Sequence, residues 1–167
     1  MFMFTFTRGF QVSTKSREFE NHVFGRLQIP VYYEDTDFSG YVYHANYLKF
    51  FERAREELIG RQYLKELYER QVHYVVYKMD ITFHAPSHHG DTITVDTEFI
   101  VSASSVAIAH QTCNLLDPND PSVVLSKLCT AKIKLATVNG EGRPIRVPQD
   151  ILDYFLAKSK QGKSFEK

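Results

Sequence analysis

The chain has 167 residues, of which 43% are hydrophobic and 24% are charged, so it can bury the core of one packed domain. This composition excludes an intrinsically disordered chain. Twenty basic and 20 acidic residues give a formal net charge of zero, which argues against a general nucleic-acid binder and against recruitment to an anionic membrane.

The two cysteines, Cys113 and Cys129, have neither CxxC spacing nor a partnered histidine pattern. Both fall in segments with the pattern of buried strands, where cysteine usually acts as a small hydrophobic residue. We therefore expect two reduced packing residues, and neither a disulfide nor a zinc site.

The domain organisation predicted from the sequence is simple. Residues 1–24 have no sustained period and are expected to form a partly mobile N-terminal extension. A single domain follows over residues 25–158, and residues 159–167 are expected to be a C-terminal tail.

No apolar run approaches the roughly 18 residues that cross a bilayer, and the apolar N-terminus lacks a basic n-region and a cleavage site. We expect a cytoplasmic protein that is not inserted in the membrane.

The first predicted elements are a strand and a long helix. Apolar and polar residues alternate from Leu27, and Pro30 predicts an edge strand or a bulge because proline donates no backbone hydrogen bond. Turn-forming residues occupy positions 35–40. Spacings of three and four then predict an amphipathic helix that begins near Asn46 and stops at Gly60, with a weaker helical stretch after it.

The remaining pattern predicts four strands, at residues 72–83, 92–101, 106–116 and 123–137, and a short closing segment at residues 147–155. Short turns between the strands predict antiparallel hairpins. A five-stranded antiparallel sheet with one long helix available to cover it is an α+β arrangement, the hot-dog fold, in which the sheet wraps around the helix. Its leftover edges favour pairing with a second copy of the chain.

Residues 31–47 are the candidate functional segment, because carboxylates, tyrosines and a histidine crowd between a strand end and a helix start. Unpaired N–H groups at a helix N-terminus can stabilise an oxyanion. A nearby carboxylate can attack a carbonyl carbon or deprotonate water, which is the chemistry of activated acyl transfer. The alternative is structural: Asp35 and Asp37 would be turn residues, and His44 and Asn46 would cap the helix.

This segment contains Tyr32-Tyr33-Glu34-Asp35-Thr36-Asp37, Gly40, Val42-Tyr43-His44-Ala45, Tyr47 and Glu52-Arg53-Ala54-Arg55. These residues resemble the signature of the thioesterase family that contains 4-hydroxybenzoyl-CoA thioesterase, and are closest to its YbgC-like, Tol-Pal-associated acyl-CoA thioesterases. The similarity continues more thinly to about residue 155. It implies a hot-dog fold, a homotetramer or at least a dimer with sites at the subunit interface, and no metal or cofactor, since coenzyme A is part of the substrate.

The resemblance also implies roles for individual residues. Asp37 matches the catalytic carboxylate, which acts as nucleophile or as general base, and the backbone N–H of His44 matches the group that polarises the thioester carbonyl. A side-chain role for His44 stays open. Tyr33 and Tyr43 are candidate substrate contacts, although packing is their commoner use. Phe38 stands in a turn that is usually glycine-rich, and there it would narrow or line the acyl pocket.

Two other polar groups receive structural interpretations. The turn at residues 102–105 lacks the basic residues that some relatives place near the coenzyme A phosphates. Lys78, Arg53 and Arg55 are alternatives for that contact, but we interpret them as solvated charges. The cluster at residues 84–91, with three histidines and Asp91, has the composition of a metal site, yet Pro86 and Gly90 favour an exposed hairpin turn.

The leading hypothesis is an acyl-CoA thioesterase that releases a carboxylic acid and free coenzyme A. A hot-dog enoyl-thioester hydratase is the first alternative, and the seven-residue gap between Asp37 and His44 argues against it. A non-catalytic module that binds an acyl carrier protein or an envelope protein is the second. The acyl group and the oligomer size stay open.

Overall fold

In the computed structural model, which describes residues 20–162, the regular elements follow the periodicity of the sequence. They are β1 (Asn21–Pro30), α1 (Asn46–Ile59), α2 (Arg61–Glu69), β2 (Val72–Phe83), β3 (Thr92–Val101), β4 (Val106–Leu116), β5 (Val124–Asn139) and α3 (Gln149–Gly162). The predicted helices after the first strand and the four later strands are confirmed within two residues at their ends.

The strands form one antiparallel sheet in the order β1-β3-β4-β5-β2, and this is the predicted hot-dog fold. One detail of the prediction is wrong, because β2 and β3 do not form a hairpin. The strand β2 pairs with β5, and β3 pairs with β1. Residues 84–91 therefore connect strands that are not neighbours in the sheet, since β4 and β5 lie between β3 and β2.

The apolar face of α1 packs against β1 and β3 and fills the core. Tyr47, Phe50, Phe51 and Ala54 are buried, as the spacing predicts. Gly60 ends the helix with a φ of 103°, a left-handed conformation that glycine adopts without strain, and its N–H donates to the Glu56 carbonyl at 2.8 Å. The helix is thus bounded by the residues that its sequence pattern indicates.

Arg55 departs from its predicted place on the solvated face of α1. The side chain is buried, and its Nη1 donates to Oε1 of Gln111 on β4 at 2.8 Å. An ion pair joins its Nη2 to Glu52. Arg55 is therefore neither a solvated charge nor available to coenzyme A phosphates, and both interpretations are wrong. The side-chain amide of Gln111 holds its guanidinium in the interior.

The first strand and the last helix extend further than the sequence pattern predicts. The strand β1 begins at Asn21 and not at Leu27, and it lies at a sheet edge with Pro30 as its last residue, which confirms the edge position. The closing segment is a helix, α3, that packs against β1. The rest of the predicted N-terminal extension, residues 1–19, and residues 163–167 of the tail lie outside the described residues.

Both cysteines are buried and free, which confirms them as packing residues. Cys113 on β4 faces Cys129 on β5 in the strand register. Burial raises the pKa of the Cys113 thiol far above its usual value and that of Cys129 to about 12.

Across residues 20–162, none of the helices has the length and apolar character to span a membrane.

Candidate active site

The segment between β1 and α1 folds back on itself as a short closed loop. Thr36 and Val42 form an isolated antiparallel bridge. Within it, the Asp37 N–H donates to the Tyr41 carbonyl at 2.9 Å, and the Gly40 N–H donates to the Asp37 carbonyl at 3.0 Å. Gly40 has a φ of 80°, which completes the reversal at a position where other residues are strained. Asp37 therefore lies at the base of this loop, directly after the bridge and nine residues before α1 begins.

Asp35 ties the loop to the start of α1. Its buried carboxylate accepts the Tyr32 N–H at 2.9 Å, closing a 3-10 turn. Its backbone carbonyl accepts the Tyr43 N–H at 2.8 Å and Nδ2 of Asn46 at 2.9 Å. The prediction of Asp35 as a turn residue is confirmed. The Asn46 side chain holds this loop and does not cap the helix, so that part of the structural alternative is wrong.

Residues 84–91 support the loop from the side. Ser87 accepts the Val42 N–H on its carbonyl at 2.8 Å, and its hydroxyl donates to Oδ2 of Asp91 at 2.9 Å. The same Asp91 oxygen accepts the His88 N–H at 2.7 Å. Most of the segment is exposed, which confirms that part of the prediction, although Ser87 is fully buried. The segment is not a hairpin, because β2 and β3 do not pair. Its polar residues link the sheet end to the loop that carries Asp37.

The histidines of this segment contact aromatic rings. His88 lies edge-on to Tyr41, with ring centroids 5.0 Å apart, and His89 lies edge-on to Tyr33 at 6.2 Å. His84 is placed to hydrogen-bond through Nε2 with the Thr130 hydroxyl at 3.0 Å. Within the described part of the chain, no group of three histidine, cysteine or acidic side chains converges as a metal site would.

Asp37 is exposed, and Ser39 holds one of its carboxylate oxygens. Oδ1 accepts the Ser39 N–H at 2.8 Å and also the Ser39 hydroxyl. These two bonds, the hydroxyl first, hold the pKa of Asp37 below its usual range, and His44 adds a smaller effect in the same direction. An aspartate that only closes a turn makes the same contact with the N–H two residues later, so Asp37 does act as a turn residue. Its catalytic role stays a prediction.

The start of α1 leaves backbone donors open. Ala45 occupies the N-cap position, and none of the side chains that the structure describes caps the helix. The N–H groups of His44 and Ala45 donate to no acceptor among residues 20–162. Both therefore lie at the positive end of the helix dipole without a partner. The exposed His44 ring lies 4.4 Å from the Tyr43 ring and edge-on to Phe83 at 6.5 Å, measured between centroids.

The predicted substrate contacts are all exposed in the single chain. Phe38 is fully exposed, Tyr33 is 82% exposed and Tyr43 is 44% exposed. A cavity of about 570 Å³ lies between α3 and β1, and one of about 420 Å³ lies between the helices α1 and α2 and the strand β2. Neither is lined by Asp37. Asp37 is exposed as well, so the single chain leaves the acid open to solvent.

Ser39 is the residue that sequence reasoning missed. Its role could have been found in the Asp-x-Ser spacing, because a serine two residues after an aspartate commonly closes a turn by donating to that carboxylate.

Comparison with known proteins identifies the family. The model of the thioesterase-like superfamily matches residues 31–155. The acyl-CoA thioesterase YbgC of Haemophilus influenzae is 35% identical over 127 residues, which cover 74% of this chain and 88% of that relative. The chain belongs to the YbgC acyl-CoA thioesterases of this superfamily.

Two further likenesses show how far the match extends. The acyl-CoA thioester hydrolase YbgC of Escherichia coli O6:H1 is 41% identical over 75 residues, which cover 44% of this chain and 56% of that relative, so the match spans little more than half of it. The crystal structure of a probable thioesterase from Bartonella henselae is 34% identical, with a TM-score of 0.58, and the match covers 75% of this chain and 99% of that one. This YbgC-like chain therefore shares the fold over nearly the whole of that probable thioesterase.

Proposed function

We propose that this protein hydrolyses acyl-CoA thioesters to a carboxylic acid and free coenzyme A. One observation carries the proposal: an ionised Asp37 lies on the loop that leads into the uncapped N-terminus of α1, in a chain of the YbgC-like family. A carboxylate and open helix donors are the two parts that thioester hydrolysis needs.

The proposed reaction uses the groups in this order. The thioester carbonyl oxygen accepts the His44 N–H, which stabilises negative charge as it develops on that oxygen. Asp37 then reacts in one of two ways. As a nucleophile, its oxygen bonds to the carbonyl carbon and the carbon–sulfur bond breaks, giving a mixed anhydride that water hydrolyses. As a general base, it removes a proton from the water that attacks the carbon.

Both routes require the carboxylate form of Asp37, and this gives the pH dependence. Because the pKa of Asp37 lies below its usual range, the carboxylate persists as the pH falls. We expect kcat/KM to rise with pH on an acid limb that lies below the range of an ordinary aspartate. In this proposal water, the Asp37 carboxylate and the backbone N–H of His44 supply the chemistry, and coenzyme A enters as part of the substrate.

A second copy of the chain would complete the pocket. The strand β2 is an edge strand, and Val76, Tyr77 and Phe83 on it are 36%, 37% and 50% exposed. Unpaired edges with apolar side chains favour association. We infer a homodimer or homotetramer in which the partner covers the side chains around Asp37. Light scattering after size-exclusion chromatography tests this, and a monomer at micromolar concentration would contradict it.

The finer specificity is also a proposal. Tyr33, Phe38 and Tyr43 are exposed on the segment that carries Asp37, and they are the side chains we expect to contact the acyl group. Of the three cations considered for the coenzyme A phosphates, Lys78 and Arg53 are exposed and so remain candidates. An acyl carrier protein presents the same thioester and is a second substrate class for the assay. The cytoplasmic location stays a prediction.

The experiment compares Asp37→Asn with Asp120→Asn. Asp120 makes the same turn with Ser122 in the loop between β4 and β5, so it is a matched control. Thiol release is measured with short, long and aromatic acyl-CoA and with one acyl carrier protein thioester. We expect Asp37→Asn to lose at least about 100-fold in kcat with an unchanged melting temperature, and Asp120→Asn to keep full activity.

Three outcomes would contradict the proposal. Near-normal turnover by Asp37→Asn would remove Asp37 from the mechanism. A wild-type protein that hydrolyses none of these thioesters would remove the activity itself. Loss of enone absorbance from crotonyl-CoA without thiol release would instead indicate a hydratase.

A further inference from the structure

The two oxygens of the Asp37 carboxylate have different surroundings. Oδ1 accepts two hydrogen bonds, from the N–H and from the hydroxyl of Ser39. Oδ2 accepts none from residues 20–162. The loop backbone is itself fixed by the bonds of Asp37 to Tyr41 and Gly40, so the carboxylate is held against its own turn. One oxygen is therefore restrained and the other is open.

The same turn occurs elsewhere in the chain, where it has no neighbouring helix start. In the loop between β4 and β5, Oδ1 of Asp120 accepts the Ser122 N–H at 3.0 Å and the Ser122 hydroxyl at 2.6 Å. The pKa of Asp120 is lowered for the same reason. An Asp-x-Ser turn thus forms from local sequence alone. Any special role of Ser39 must come from the place of its turn beside the N-terminus of α1.

We propose that Ser39 is a positioning residue that fixes Oδ1 of Asp37 and leaves Oδ2 as the reacting oxygen. This inference rests on the proposed thioesterase function. In the nucleophilic route, Oδ2 forms the new bond to the acyl carbon as the thiolate leaves, and Oδ1 becomes the anhydride carbonyl oxygen. In the general-base route, Oδ2 takes the proton from water. Ser39 holds Oδ1 in both.

The serine hydroxyl serves this purpose better than the N–H alone. A single N–H bond leaves the carboxylate free to rotate about its last torsion, because this torsion has a broad and roughly two-fold preference. Two donors on one oxygen narrow that rotation. They also stabilise the charged form, since hydrogen bonds to an ionised acceptor are stronger than those to a neutral one. The carboxylate is therefore both oriented and kept ionised.

The test compares Ser39→Ala, Ser39→Thr and the control Ser122→Ala in the full chain. For Ser39→Ala we expect kcat to fall about tenfold, because a misplaced reacting group is costly, while KM stays within about twofold because Ser39 contacts the acid and not the substrate. The acid limb of kcat/KM should move to higher pH. Ser39→Thr keeps the hydroxyl and should restore both, and Ser122→Ala should match the wild type.

A second measurement separates this inference from the proposed function. The titration of the Asp37 carboxyl carbon, followed by NMR and assigned with Asp37→Asn, should move to higher pH in Ser39→Ala without any substrate present. An unmoved titration overturns the inference even if the protein is a thioesterase. A moved titration with unchanged kcat and pH profile also overturns it. If the wild type hydrolyses no thioester, the proposed function fails and the inference fails with it. If the wild type is active, the Ser39 variants test the positioning role separately from the thioesterase function.

Discussion

The buried contact between α1 and the sheet allows a quantitative prediction for Arg55→Ala. Arg55 donates to Oε1 of Gln111, whose Nε2 in turn donates to the Phe51 carbonyl at 3.0 Å and to the Thr97 hydroxyl at 2.8 Å. Arg55 and Gln111 are each 2% exposed. The network thus joins α1 to β3 and β4 inside the core, and removing the arginine leaves a buried amide oxygen without its donor.

The expected cost follows from this burial. An unsatisfied buried acceptor costs about 1–3 kcal/mol, and breaking a buried charged contact by removing one partner costs about 3–5 kcal/mol. Glu52, the charged partner, is 64% exposed, so water screens that part of the interaction. We therefore expect Arg55→Ala to lower the free energy of unfolding by about 3 kcal/mol. For a chain of 167 residues this lowers the melting temperature by about 6–12 °C.

Urea denaturation measures the effect, with Arg53→Ala as the matched control. Arg53 lies on the exposed side of the same helix, over the Phe50 ring at 5.9 Å, and its loss should cost below about 1 kcal/mol. The double variant Arg55→Met, Gln111→Leu removes both polar groups and should recover part of the lost stability. If Arg55→Ala and Arg53→Ala unfold at the same urea concentration, the reasoning about the buried network is wrong.

Two further predictions concern the helix end and the thiols. Gly60→Ala should cost about 1–2 kcal/mol, because φ is 103° and the new Cβ would lie 3.3 Å from the Tyr154 hydroxyl. Gly40→Ala, with a φ of 80° and open space around it, should cost less in the same denaturation assay; equal costs would show that the Tyr154 contact is irrelevant. Cys113 and Cys129 should resist a disulfide reagent in the native protein and both react in urea, because burial raises the pKa of each thiol. Rapid labelling of the native protein would refute their buried position.

Some residues of the candidate site could be recognised from the local sequence, and others only from contacts between distant parts of the chain. Asp37 and His44 are candidates from sequence because they lie in one segment, where a strand ends and a helix starts, and because that segment resembles a family signature; their roles stay predictions. Ser87 and Asp91 could not be predicted as its support, since they come from a connection more than 40 residues later in the chain. Their contribution depends on the order of the strands.

Residue spacing by itself determined the helices α1 and α2 and the strands β2 to β5, because the periods of two and of 3.6 residues reflect local backbone geometry. It also determined the ends of α1, since Gly60 terminates a helix through its own backbone freedom. Only the tertiary structure decided that β2 pairs with β5 and not with β3, that Arg55 turns inward to Gln111, and that the closing segment is a helix packed on β1. Each of these depends on contacts between residues far apart in the chain, which no local pattern specifies.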